Sequence, residues 1–408
     1  MSGTSLDGVD VAYIATDGAE YVEPIIFRTY DYDDGLRARL RSCFGAREKS
    51  PEIAAIEGEM TLFHADMLKN FMAELGRKKQ SPALDIIGFH GQTVTHDPAR
   101  RFTWQLGDGE LLRTLTHCDV VYDFRQADVA AGGQGAPLIP IYHAARVASV
   151  RRTGPQTQKT PNSRDAVHPL LRGAVAIVNI GGVSNISWVG EAGELAEETI
   201  QTLPLLAFDC GPGNALMDDY MLTRLGEKFD RGGARAARGK VDEALISQWM
   251  DHEFFTRQPP KSLDRNAWDF VDVSSLGVED ALATLSEFTA RTIARAARFL
   301  PAPPLIWLIT GGGRLNRHLM TRLGALLQTP VKMVDDLGWN GDAMEAEGFA
   351  YMAVRRLLNL PISFPATTCA PAPLCGGVVS RRGVQGTTAQ GTTTPGTTTP
   401  GTAAKGSP

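Results

Sequence analysis

The chain has no uninterrupted run of about 18 apolar residues, so it offers nothing long enough to cross a bilayer as a helix. Its start also lacks the basic patch and apolar core of a secretory signal. Cysteine is scarce: Cys43, Cys118, Cys210, Cys369 and Cys375 are scattered with no CxxC pair and no Cys/His ligand spacing. That pattern excludes a disulfide framework and a structural zinc, and makes a reducing cytoplasm the expected compartment. Excess cationic charge is missing too. With 41 Lys and Arg against 46 Asp and Glu, net charge −5, and no Lys/Arg-dense stretch, the sequence predicts neither a nucleic-acid nor a membrane partner. Two nucleotide signatures are absent as well, GxxxxGK[ST] and a GxGxxG following a strand.

What remains is the composition of a globular protein, 43% apolar and 21% charged over 408 residues, long enough for two domains. Asp10 to Ala15 suits a strand. Ile53, Ile56, Met60, Phe63, Met67, Phe71 and Leu75 recur at three- and four-residue steps, which predicts an amphipathic helix with Gly76 as its C-cap. "ALDIIGFHG" and "CDVVYDFR" read as short strands. "GAVAIVNIGGVSNISWVG" and "PLIWLITGGGR" each carry strand into a glycine cluster, and Leu285, Thr289, Ile293, Ala296 and Phe299 mark a further helical face. Alternating strands and helices predict an α/β fold with mixed sheets covered by helices. "SVRRTGPQTQKTPNSRDAVHP" reads as a surface loop. The Thr/Pro-rich tail from about Gly383 has nothing to bury and is expected to be disordered.

Three turns share one design: "SGTSLDGVD", "NIGGVSNIS" and "TGGGRLNRH". In each, glycine lets backbone amides approach a ligand without a Cβ in the way, and small hydroxyl or amide side chains add donors, a combination suited to phosphate. Any one of them could equally be a tight turn without a ligand. Three in one α/β chain favour the phosphate reading.

Together "MSGTSLDGVD", "GFHGQTVTHDP", "DFRQADVAAGGQGAPLIP", "NIGGVSNIS", "FDCGPGNALMD" and "DAMEAEGFA" resemble the anhydro-N-acetylmuramic acid kinases, members of the sugar kinase, Hsp70 and actin superfamily. The similarity runs in order to about Gly377. It implies a two-lobed actin-like ATPase fold of duplicated ribonuclease-H-like domains with a cleft between them. Domain I would span 1–131, with a C-terminal helix of about 346–377 returning to it, domain II 132–345, and the low-complexity tail 378–408. The resemblance further implies ATP and Mg²⁺ as cofactors and a small-molecule anhydrosugar as substrate, with a homodimer suggested. The reaction would be ATP-dependent opening of a 1,6-anhydro sugar by water with phosphorylation of O6, giving N-acetylmuramate 6-phosphate. The family carries a few apolar residues, its first strand, before the opening turn. Here they are missing, through a start assigned too late or through loss of a central strand.

By the same resemblance Asp209 is the base that takes the proton from water, and Glu345 helps to orient that water. A solvated first-turn carboxylate is the plainer reading of Glu345. Gly3, Thr4, Ser5, Leu6, Asp7, Gly8 and Asp10 would wrap the ATP phosphates, Asp7 reaching Mg²⁺ through water. Asn179, Gly181 and Gly182 match a second phosphate turn. Gly311, Gly312 and Gly313 match an adenosine-side turn, although a triple glycine before a helix also permits close packing. His90, Gln92, Thr93, Arg125 and Asp128 are the sugar-side candidates, suited to a polar ligand bearing a carboxylate. A buried, hydrogen-bonded histidine is the other reading of His90. The rival activity is a levoglucosan (1,6-anhydroglucose) kinase, although "AAGGQGAPLIP" looks more like the muramate enzymes. A catalytically impaired nucleotide- or sugar-binding homologue is disfavoured by Asp209 and Glu345, two carboxylates costly to keep near phosphates. An Hsp70-like chaperone lacks a peptide-binding domain here.

Overall fold

Asp10–Ala15 forms the middle of strand β1 (Gly8–Thr16) in the computed structural model, which describes residues 1–3, 6, 8–77, 84–153, 168–191, 204–262 and 268–382. An antiparallel partner, β2 (Val22–Asp31), follows. Helix α1 (Asp34–Ser42) starts where the Asp33 carboxylate accepts the amide hydrogen of Leu36 at 2.8 Å. Helix α2 (Pro51–Arg77) buries Ile56, Met60, Phe71 and Leu75 of the stripe read from the sequence. It runs through Gly76 rather than ending there: glycine costs about 1 kcal/mol inside a helix, too little to stop one held by a packed face. Next come β3 (Ile86–Gly88), the hairpin β4 (Gln92–Asp97) and β5 (Phe102–Leu106), α3 (Gly109–Thr116), β6 (Asp119–Tyr122) and α4 (Gln126–Ala131).

Helix α5 (Pro140–Thr153) begins the second half and takes up the first residues of the segment read as a surface loop; residues 154–167 of that segment lie outside the described residues. The glycine-rich run becomes the hairpin β7 (Val175–Ile180) and β8 (Val183–Val189), and β9 (Leu205–Pro212) pairs with β8. Helices α6 (Ala215–Leu225), α7 (Glu243–Met250) and α8 (Val278–Ala296) follow, then β10 (Ile306–Thr310), α9 (Arg317–Leu326) and β11 (Val331–Met333). Helix α10 (Met344–Leu357), the short α11 (Pro365–Thr368) and β12 (Val378–Ser380) complete the chain.

The second half is one five-stranded sheet in the order β11-β10-β7-β8-β9, with β7, β10 and β11 parallel and β7, β8 and β9 successively antiparallel. Both its faces are covered. Alternate residues Ala176, Val178, Trp307 and Ile309 pack with Ile293 of α8 and Leu323 of α9, while Val175, Ile177, Ile306 and Leu308 share a core with α5 and α10. The first half repeats this plan in pieces. The hairpin β1–β2 corresponds to β8–β9, and the parallel pair β3–β6 to β10–β11, with β12 antiparallel on β6. Among the described residues no strand stands where β7 stands in the second half. Only Ser2 bridges to Val9, and Met1 exchanges backbone hydrogen bonds with Asp10 at 2.6 and 2.8 Å. Between β1 and β3 lies a narrow cavity lined by Val11, Ile86, Leu68 and Phe71, and α10 packs against both strands.

The topology is that of an α/β, two-lobed actin-like fold with duplicated ribonuclease-H-like sheets. Its two halves meet across α5 and α10, where Tyr142, Phe349 and Met352 are fully buried between Val121 and Phe124 of one half and Val175 and Ile177 of the other. The sequence boundary at residue 378 moves: β12 pairs with β6, and the Arg382 amide donates to Asp119 at 2.8 Å, so ordered chain passes Gly377 because its alternating residues complete a sheet edge. Residues 383–408, expected to be disordered, lie outside the described residues. All five cysteines are free, and no described helix is long and apolar enough to cross a membrane.

Candidate active site

Three polar residues stand in a row across the second sheet. Asn179 of β7 is the register partner of Asn185 of β8, which is the partner of Asp209 of β9. Each is half-buried between buried neighbours in its strand, so the three form one polar stripe on an otherwise apolar sheet. Adjacent strands lie about 4.8 Å apart, which puts Asn179 and Asp209 roughly 10 Å apart with Asn185 between them. A β-bulge sets this alignment. Asn185 faces Asp209 while Ser184 faces Gly211, leaving Cys210 as the extra residue. A bulge turns the side chains on its two sides to new faces, and here it brings Asp209 opposite Asn185. The Asp209 amide donates to the Lys261 carbonyl at 2.9 Å, which closes the free edge of β9 at this point.

Glu345 joins the other end of the row. It lies in the first turn of α10, and Asn179 Nδ2 donates to its Oε1 at 3.3 Å. Its carboxylate keeps contact with solvent although protein surrounds it. That enclosure raises its pKa above the ordinary carboxylate value; Arg125 opposes the rise and Asp10 adds to it. Helix α10 is fixed by the next turn inward, where buried Glu347 accepts from the Tyr142 hydroxyl and Arg146 Nη1 donates to that hydroxyl at 3.1 Å. The predicted position of Glu345 is therefore held by α5 packing.

Buried His90 and half-buried Arg125 form a pair beside Glu345. Burial, and the charge of Arg125, push the His90 pKa well below its usual value, so the ring is neutral. Arg125 Nη2 donates to Nε2 at 3.1 Å, and this assigns the proton to Nδ1, which points at the Ser2 carbonyl at 3.2 Å. Arg125 Nη1 donates to the Gly135 carbonyl at 2.7 Å. Burial lowers its own pKa, with Glu345 and Asp128 opposing. The other sugar-side candidates are spent on the protein. Gln92 is fully buried, accepts from Ser2 Oγ at 2.5 Å and donates to the Thr93 carbonyl at 3.3 Å. Asp128 is buried, accepting from the Gly135 amide at 2.5 Å and the Thr368 hydroxyl at 2.6 Å. Thr93 Oγ1 accepts from Gln105 at 3.4 Å. Of these three, Asp128 shapes the loop that carries Arg125 and Gly135.

The two later glycine turns abut. A Cβ at Gly311, whose φ is +74°, would come within 2.3 Å of Asn179 Oδ1, and one at Gly313 within 2.3 Å of Ile180 Cγ2. Asn214, which sequence reasoning passed over, lies between the turns: its amide nitrogen donates to the Gly181 carbonyl at 2.7 Å and its side chain to the Ile180 carbonyl at 3.2 Å. The Gly182 carbonyl accepts from Gly213 at 2.9 Å. Gly312 faces the same space: a Cβ there would meet Asn214 Nδ2 first, at 3.5 Å. This is a backbone-lined cradle that side chains would fill, and it fits a phosphate-bearing ligand.

In the opening turn, the Leu6 amide donates to the Gly3 carbonyl at 3.1 Å, and the Leu6 side chain is fully buried at φ +58°, leaving only its backbone for a ligand. A Cβ at Gly8 would come within 2.2 Å of the Tyr30 carbonyl, so that glycine serves the β1–β2 pairing. Asp10 accepts from the Thr29 hydroxyl at 2.7 Å. Thr4, Ser5 and Asp7 lie outside the described residues, and with Asp7 goes the Mg²⁺ contact expected of it. Among the described residues no group of three His, Cys, Asp or Glu side chains is placed to hold a metal.

Asn185 and Asn214 sit inside motifs quoted from the sequence, yet only strand register and turn contacts single them out. Known proteins match nearly the whole chain. A family model described as anhydro-N-acetylmuramic acid kinase matches residues 1–156 and 160–381. A protein of Rhizorhabdus wittichii named anhydro-N-acetylmuramic acid kinase is 45% identical over 387 residues, 93% of this chain and 97% of its own length. One of the same name from Paramagnetospirillum magneticum is 44% identical over 382 residues, 92% and 97% respectively. Among solved structures, a hexokinase from Schistosoma mansoni complexed with glucose matches at 11% identity and a TM-score of 0.36, covering 86% of this chain and 87% of that one.

Proposed function

The chain belongs to the anhydro-N-acetylmuramic acid kinase family, and we propose that it is a kinase that opens 1,6-anhydro-N-acetylmuramic acid with water and phosphorylates the freed O6. ATP supplies the phosphoryl group, with Mg²⁺ as its counter-ion. The observation that supports this reading most is the row Asn179–Asn185–Asp209, tied to Glu345 at one end and bordered by the glycine cradle.

Ring opening requires a water whose oxygen bonds to the anomeric carbon while the bond from that carbon to the bridging oxygen breaks. Asp209 takes the proton of that water. Glu345 faces it from the other end of the row. The freed O6 then bonds to phosphorus as ADP departs, and the proton on Asp209 returns to solvent. The backbone at Gly181, Gly182 and Gly311–Gly313 would hold the phosphates, with Gly311 and Gly313 packed too close to Asn179 and Ile180 for any side chain, and fixed amide dipoles would stabilise charge developing there. Gly3, Leu6 and Asp10 would border the same ligand from the first lobe, with Gly8 fixing the β1–β2 pairing there, and Thr4, Ser5 and Asp7 of the same motif would contribute too, Asp7 by holding Mg²⁺ through water. Arg125, held by His90 and Gly135, would meet the carboxylate of the sugar's lactyl group. Asp128 supports that arrangement through the Gly135 amide, while Gln92 and Thr93 are bonded to Ser2 and Gln105 in the neighbouring hairpin.

The test is product analysis by mass spectrometry with ATP, Mg²⁺ and either 1,6-anhydro-N-acetylmuramic acid or levoglucosan. Phosphorylated, water-adducted product from the muramate sugar at a kcat/KM well above that for levoglucosan is expected. Turnover of levoglucosan alone would move the substrate assignment to the simpler anhydro sugar, and turnover of neither would overturn the kinase reading.

A further inference from the structure

Asn185 occupies the centre of the row and is the member whose side chain makes no hydrogen bond within the described residues. Asn179 is engaged with Glu345, and Asp209 has its own interactions. A half-buried amide that reaches solvent and makes no hydrogen bond to the protein between those two positions is free to bind a water there.

We propose that Asn185 is a further catalytic residue: its side-chain carbonyl accepts a hydrogen bond from the attacking water and holds it against the Asp209 carboxylate. Side chains directly opposite on neighbouring strands have Cβ atoms about 4.5–5.5 Å apart, room for one water bridging a carboxamide and a carboxylate. One hydrogen of the water points to Asn185 and is retained in the new anomeric hydroxyl. The other passes to Asp209 as the oxygen bonds to the anomeric carbon and the bridging bond breaks. The oxygen's remaining lone pair is thereby aimed along one direction, which is what a near-attack geometry requires. The choice of Asn over Asp follows from electrostatics. A second carboxylate opposite Asp209 would raise the pKa of one of the pair, so that the two hold a shared proton to higher pH. A neutral amide fixes the water without adding a competing negative charge. The bulge at Cys210 supports this assignment, because without it Asp209 would not face Asn185.

The proposal rests on the base assigned to Asp209, and three variants of the full-length protein separate the two. Asn185→Ala should lower kcat about 10- to 100-fold, the effect of one lost hydrogen bond to a reacting group, with the KM for ATP within threefold of the parent. Asn185→Asp should move the acid limb of kcat/KM to higher pH and recover rate as pH rises, an effect a merely structural role would not produce. Asp209→Asn in the same assay reports on the base alone. If Asp209→Asn is inactive while Asn185→Ala keeps more than half the parental kcat, the role of Asn185 is refuted and that of Asp209 stands. If Asn185→Ala fails to fold, the Asn185→Asp profile decides: an unshifted acid limb overturns the proposal.

Discussion

Replacing Asp209 by Asn changes one oxygen for one nitrogen at a half-buried position whose backbone is held by the Lys261 carbonyl at 2.9 Å and by pairing with β8. Neither restraint involves the carboxylate, so the fold should be retained with a stability change within about 1 kcal/mol. What is lost is the proton acceptor. A positioned general base contributes about 10²- to 10⁴-fold, so kcat should fall by that factor, equivalent to about 2.7–5.4 kcal/mol of transition-state stabilisation. The glycine cradle is built by Asn179, Gly181, Asn214 and Gly311–Gly313 through contacts with one another. ATP affinity should therefore stay within threefold. Initial rates from a coupled ADP assay and titration calorimetry with ATP and Mg²⁺, on one preparation, give both quantities. A variant with parental kcat, or one that loses ATP binding together with rate, would refute the assignment of Asp209 as the base.

Glu345→Gln addresses the other end of the row. The Glu345 pKa is raised, first by its enclosure, so the ionised form gains population only as pH climbs past the ordinary carboxylate range, and the rate of the parent should rise with pH there. The variant should show a lower plateau without that limb; a limb that persists belongs to another group. Gly313→Ala places a methyl group within 2.3 Å of buried Ile180 Cγ2 and should push the two turns apart, weakening ATP binding at least tenfold in calorimetry on the folded protein and lowering its melting temperature, since overpacking costs about 1–3 kcal/mol. Unchanged ATP affinity would remove that turn from the nucleotide site. Asp123, in the left-handed region at φ +54°, has its pKa raised to about 6, chiefly by burial and then by Glu57. Its folded form holds the proton to higher pH than the unfolded chain does, so its contribution to stability is full at low pH and is lost as pH rises from about 4 through about 6. Asp123→Asn, which tolerates the same backbone, should stabilise the protein at pH 8 by about 1–2 kcal/mol, discounted for partial exposure, and much less at pH 4. Equal effects at both pH values in urea denaturation would contradict this.

Much of the fold was legible because periodicity reports on burial. The α2 stripe, the β7–β8 run and β10 entering its glycine cluster all follow from spacing alone, and Asp209 and Glu345 stand out through the motifs around them. The missing parts share a cause: they depend on partners distant in sequence. β12 becomes a strand only because β6 offers it an edge, and Gly76 stays helical because α2 is held by its packed face. Gln92 and Asp128 have the chemistry of sugar ligands, and only the folded chain shows their polar atoms committed to Ser2, Gly135 and Thr368. Asn185 is the reverse case, an unremarked amide in "NIGGVSNIS" that cross-strand register sets opposite Asp209.

Turnover in heavy-oxygen water tests the chemistry of the row most directly. With 1,6-anhydro-N-acetylmuramic acid, ATP and Mg²⁺, rapidly quenched product should carry one heavy oxygen at the anomeric hydroxyl and none in the phosphate, above the slow exchange of unlabelled product held in the same water. Product with an unlabelled anomeric oxygen, or with label in its phosphate, would show that water does not attack the sugar where Asp209 and its neighbours are placed to direct it.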